Sequence, residues 1–147
     1  MTKFRSRSLA RQRAFQVLYS LQFTPVDTPE ALKTAFDNFP KDENTEDGNA
    51  ELRDFAWELI EGVWSSAKEL DAAIAGLSRN WRVDRLGKVE LTLLRLAFYE
   101  LKHHPDVPAK VVISEALDLA ARFANTQARH FINGILDAAA GQNDSKA

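Results

Sequence analysis

The chain contains no cysteine. Disulfide staples, thiolate zinc sites and a thiol nucleophile are therefore excluded, and a reducing cytoplasm suits the chain. Its six glycines are scattered singly. Neither a G-x-G-x-x-G loop nor a P-loop can be written with them, and no G-x-S-x-G elbow occurs. No uncharged apolar stretch is long enough to span a bilayer. The opening from Met1 to Arg13 is basic and lacks the apolar stretch of a secretory signal. Acidic residues are missing from the first 26 positions, which hold Lys3, Arg5, Arg7, Arg11 and Arg13. That segment carries +5 in a chain of net charge −2, leaving the other 121 residues at −7. An acidic body with a basic arm (about residues 1–6) points the arm toward an anion, although a short basic terminus is also commonly a solvated tail.

What is present is helical periodicity. The 147 residues, 45% hydrophobic and 27% charged, fit one domain that can bury a core unaided. No segment sustains the alternation of a strand. Ser6 or Ser8 can cap a first helix, in which Ala10, Ala14, Val17, Leu18 and Leu21 share a face until Pro25 stops it. Thr28-Pro29 opens a second, with Leu32, Ala35, Phe36 and Phe39 inward, ending at Pro40. Residues 41–49 form a polar loop. A third helix, about 50–67, carries Leu52, Phe55, Ala56, Leu59, Ile60, Val63 and Trp64 on its core face. A fourth, with Leu70, Ile74 and Leu77, ends near Asn80. Asp84 caps a fifth, which ends at His103-His104-Pro105. A sixth begins beside Pro108, and Thr126 caps a seventh. The tail, about 141–147, is expected to be disordered. The expected fold is all-α: seven helices in two sub-bundles, helices 1–3 and 4–7, packed on one core.

Catalytic and metal readings find little support. His103 and His104 are adjacent, so on a helix their side chains point roughly 100° apart, and a shared metal favours a spacing of three or four. At a helix C-terminus they fit capping better. His130 has no ligand partner one turn away. Asp54, Glu58 and Glu61 can mimic a carboxylate metal site, but without histidine they read more simply as a solvated helix face. No enzymatic activity, metal or cofactor is expected. Arg95, within L-L-R-L-A, and Glu115, within V-V-I-S-E-A-L, are costly to bury alone. Arg95 is expected to pair with Glu115 or Glu100 as a structural ion pair.

Arg7 and Arg11, four residues apart, share a helix face. A second basic group, Arg79, Arg82, Arg85 and Lys88, brackets the turn between the fourth and fifth helices. If the two groups adjoin, they make a track for a phosphate backbone. Phe123 and Phe131 can stack on unpaired bases, although core burial is the commoner fate of such residues.

Four blocks carry a resemblance. A-R-Q-R-A-F-Q-V-L-Y at the start, V-E-L-T-L-L-R-L-A-F-Y-E-L at 89–101, D-V-P-A-K-V-V-I-S-E-A-L-D-L-A at 106–120 and H-F-I-N-G-I-L-D at 130–137 resemble, in order and spacing, the NusB family. The resemblance implies a seven-helix cytoplasmic transcription factor. It would bind the boxA element of nascent ribosomal RNA as a heterodimer with NusE and help RNA polymerase resist Rho-dependent termination. Arg7 and Arg11 would contact RNA, helped by Lys3, Arg5 and Arg85. Tyr19 and Glu90 resemble the NusE-facing positions. Two departures stand out. Several relatives carry an arginine cluster where this chain has Arg7-Ser8-Leu9, and the turn N-T-Q-A lacks an acid found in some. Some relatives form homodimers that hide the RNA face, so a homodimer stays open. Two alternatives also stand. One is a helical protein adaptor that ignores RNA. The other is the NusB-like domain of a ribosomal RNA cytosine methyltransferase, whose catalytic domain would have to follow Ala147.

Overall fold

A computed structural model describes residues 3–40, 50–78 and 86–145, with side chains described between 6 and 141. Among the described residues there are seven α-helices and no strand: α1 (Lys3–Leu21), α2 (Pro29–Asn38), α3 (Ala50–Ser65), α4 (Ala67–Leu77), α5 (Lys88–His103), α6 (Ala109–Phe123) and α7 (Thr126–Ser145). They fall into two compact units, Met1–Trp64 and Ser65–Ala147. This is the division into helices 1–3 and 4–7 that the periodicity predicts. The polar loop 41–49 and the expected Asp84 cap lie outside the described residues.

In the first unit the apolar stripes are buried as their spacing requires. Ala10, Ala14, Phe15, Val17 and Leu18 are buried on α1, Leu32 and Phe36 on α2, and Leu52, Phe55, Ala56, Leu59, Ile60 and Val63 on α3. The start of α2 follows from two residues. Thr28 accepts a hydrogen bond from the Ala31 amide at 3.1 Å, and Pro29 occupies the first turn, where its missing N–H costs nothing.

The second unit is organised around α5, which packs against α4, α6 and α7. A helix with neighbours on several sides has little polar face to spare. Accordingly the five consecutive residues Leu96, Ala97, Phe98, Tyr99 and Glu100 are all buried. The helix ends at His103, and the His104 amide donates to the Glu100 carbonyl at 2.9 Å.

Several expected boundaries are corrected. The first helix is already helical at Lys3, and Ser6 is a buried interior residue rather than a cap. The seventh continues to Ser145 instead of giving way at 141. Both extensions have one cause: adding a residue to a formed helix needs no new nucleus, so polar ends follow the helix they adjoin. The cap of α7 is Asn125, whose Oδ1 accepts from the Ala128 amide at 2.8 Å, and Thr126 is the first helical residue. The cap of α5 is Gly87.

The Arg95 partner is also corrected. Arg95 donates from Nε and Nη2 to Oδ1 and Oδ2 of Asp71 on α4, each at 2.7 Å. Its expected partners Glu100 and Glu115 are buried but engaged otherwise. The fork-to-fork match of guanidinium and carboxylate makes Asp71 the better acceptor. The side chains keep 22% and 32% of their exposure, so the pair is only partly desolvated. Asp71→Asn should therefore lower unfolding free energy by about 1–2 kcal/mol. Urea denaturation with an unchanged m-value and a lower midpoint would show it. An unchanged midpoint would mean that the pair contributes nothing to holding α4 on α5.

Candidate nucleic-acid interface

The basic residues of α1 separate by register. Arg7 and Arg11, one turn apart, both lean over the ring of Phe55 on α3, their guanidinium carbons 4.6 and 5.5 Å from its centroid. Arg7 is half-buried, whereas Arg11 keeps 3% exposure. Arg13 turns toward α2 instead. Its guanidinium lies 5.0 Å from the Phe39 ring centroid and donates to the carbonyls of Pro40 at 2.6 Å and Phe39 at 2.9 Å. Those carbonyls lie at the C-cap of α2 and one residue past it, so Arg13 ties α1 to the end of α2 and serves as a cap.

This changes the reading of Arg11. The shared face of Arg7 and Arg11 exists, but it is turned onto α3. Arg11 is packed inside the unit and does not present its guanidinium to solvent. An aromatic ring makes such burial tolerable, because its electron-rich face offsets part of the lost hydration. Lys3 and Arg5 belong to α1, with side chains outside the described set. Arg85, with Arg79 and Arg82, lies outside the described residues altogether. Lys88, at the start of α5, is exposed.

The two candidate stacking residues differ. Phe123, the last residue of α6, is 38% exposed, and the Arg122 guanidinium lies 5.8 Å from its ring centroid. Phe131 on α7 is half-buried. A ring held at a helix end beside a guanidinium offers a surface on which an unpaired base can stack.

The residues matched to a partner surface sit in different settings. Tyr19 is half-buried, stacked on Phe15 at 5.8 Å and edge-on to Phe23 at 5.1 Å. Phe23 is 59% exposed, the largest exposure among the big apolar side chains described. The sequence reading passed over it because it lies beyond the periodic stripe, near Pro25. Its place after the last apolar position of α1 was the available signal. Glu90 is half-buried at the third position of α5. A Cβ on Gly87 would run into its carboxylate, so glycine there permits the side chain to fold back over the helix start. A carboxylate at that end is favoured by the helix dipole.

Against known proteins, the model of the NusB family matches residues 8–141. The transcription antitermination protein NusB of Desulfovibrio desulfuricans is 54% identical over 135 residues, covering 88% of this chain and 81% of that one. The Myxococcus xanthus protein of the same name is 42% identical over 132 residues, with 90% and 92% covered. Among solved structures, T. maritima NusB superposes with a TM-score of 0.80 at 29% identity, covering 92% of this chain and 90% of that one. NusB from the complex of the antitermination factors NusB and NusE with dsRNA superposes with a TM-score of 0.76 at 27% identity, covering 97% and 99%.

The geometry separates two kinds of arginine, and stability distinguishes them. Arg13→Ala removes two charge-assisted hydrogen bonds to the end of α2 and should cost about 2 kcal/mol. Arg7→Ala should cost less than about 1 kcal/mol. Paired urea denaturation curves test this, and equal losses would contradict the assignment of Arg13 as a cap.

Proposed function

Because the chain belongs to the NusB family, we propose that it is a cytoplasmic transcription antitermination factor that binds boxA RNA together with NusE and catalyses nothing. In this role it joins the complex that helps RNA polymerase resist Rho-dependent termination on ribosomal RNA transcripts. The observation that carries the reading is Arg7. It stands half-buried on the basic end of α1 with its guanidinium over the Phe55 ring, and among the described residues no carboxylate pairs with it. A guanidinium so placed keeps its N–H edges for phosphate oxygens. Support also comes from the likeness to the NusB of a NusB–NusE–dsRNA complex.

The physical mechanism follows from charge. A body of net charge −7 outside the first 26 residues repels a polyanion. The chain alone should hold RNA modestly, through Arg7, Lys3 and Arg5, with Arg85 reinforcing them. NusE would extend the cationic surface and complete the site. Phe123 supplies a stacking platform for an unpaired base, and Phe131 a second ring for the same purpose. Tyr19 and the neighbouring Phe23 supply an aromatic anchor for the protein partner, of the kind that dominates interface energetics. Glu90, at the start of α5, is a further partner contact.

Fluorescence anisotropy of a labelled boxA RNA, with and without NusE, tests this reading. NusE should tighten binding, and Arg7→Ala should weaken it. With three or four phosphates neutralised, log K should fall with log salt at a slope of about −2 to −3. A slope near zero, or no RNA binding even with NusE, would leave a protein adaptor as the better account.

A further inference from the structure

We propose that Phe55 is a positioning residue for RNA binding: its ring fixes the Arg7 guanidinium in the orientation from which it meets a phosphate. The inference rests on the RNA-binding reading above and goes beyond it, because Phe55 belongs to the core stripe of α3 and touches no RNA itself.

Phe55 is buried, as are Leu52, Ala56, Leu59, Ile60 and Val63 on the same helix. Its ring therefore has a fixed place. Arg7, by contrast, has a long stem that would sample many rotamers in water. Contact with a fixed ring at 4.6 Å selects among them before any ligand arrives. With its carbon held over the ring, the guanidinium carries several N–H groups that the ring does not use and that can meet oxygen acceptors.

Other cation–ring contacts of the first unit differ in one respect. Lys33 lies over Phe36 and Trp57, and Arg53 over Phe36, but both cations also pair with Asp37. Arg13 lies over Phe39 but spends its donors on the end of α2. The Arg7–Phe55 contact has a ring and, among the described residues, no acid paired with it. Arg11 adds a second guanidinium over the same ring at 5.5 Å.

The test uses the full chain with NusE present and a labelled boxA RNA, read by anisotropy, with thermal unfolding of every variant. Phe55→Leu keeps an apolar side chain and removes the ring, and should weaken RNA binding about three- to tenfold. Phe55→Tyr keeps the ring and should bind as the parent does. Arg7→Lys leaves the core untouched and keeps the charge, yet should also weaken binding, because an ammonium does not stack as a planar group. In an Arg7→Ala background, Phe55→Leu should have no further effect. Multiplicative losses from Phe55→Leu and Arg7→Ala, or parental binding by Arg7→Lys, would overturn the proposal. Should Phe55→Leu fail to fold, Arg7→Lys decides. If Arg7→Ala weakens binding while Phe55→Leu and Arg7→Lys do not, positioning alone falls. If Arg7→Ala changes nothing, the RNA-contact role of Arg7 falls with it.

Discussion

At the end of α2 the carbonyls of Phe39, its C-cap, and of Pro40 just beyond it accept hydrogen bonds from Arg13 of α1. Burying a guanidinium is expensive unless its donors are used, and leaving helix-end carbonyls bare is expensive too. One side chain answers both demands, which ties α1 to α2 at a defined register. The register then settles the neighbouring residues. With Arg13 turned to α2, Arg11 and Arg7, two and six residues earlier and one turn apart, share the α1 face that meets Phe55 on α3. Burial decreases toward the N-terminus, from Arg11 inside to Arg7 at the edge. The basic character of the segment thus has two origins. Part of it holds the unit together, and part, on the reading proposed above, meets an anionic ligand.

Much of the fold was legible because helices and their stops are local. Thr28-Pro29 marked the start of α2, Pro105 the end of α5 and Pro108 the start of α6, all through short-range stereochemistry. The apolar stripe of α3 was legible for the same reason. The ends of α1 and α7 were not, since a polar terminus reads as loose chain until it is known to continue a formed helix. Asn125 and Thr126 are both good caps, and only backbone geometry chooses between them.

The candidate site was legible in composition but not in depth. Charge counting found Arg7 and Arg11 together and could not tell that one turn of helix carries the second inside. Nor could it tell that the partner of Arg95 sits on α4. Asp71 lies between Leu70 and Ala72 and reads as an ordinary surface acid until α4 is laid against α5. Long-range pairing of this kind is a property of packing, and spacing along one helix carries no information about it. Phe123, named as a stacking residue although core burial is the commoner fate of such a ring, closes α6 and remains partly in solvent beside Arg122. The acidic face of α3, with Glu51, Asp54, Glu58 and Glu61 exposed, is one that a polyanion would avoid.

The central claim is that α1 divides its arginines between structure and ligand. Nuclear magnetic resonance of the Nε–Hε groups of a nitrogen-labelled chain, assigned by single Arg→Lys variants and titrated with boxA RNA in the presence of NusE, tests it most directly. The account predicts that the Arg7 signal moves with RNA while the Arg13 signal stays in place and exchanges slowly with water. Equal movement of Arg7 and Arg13, or an Arg7 signal indifferent to RNA, would contradict it.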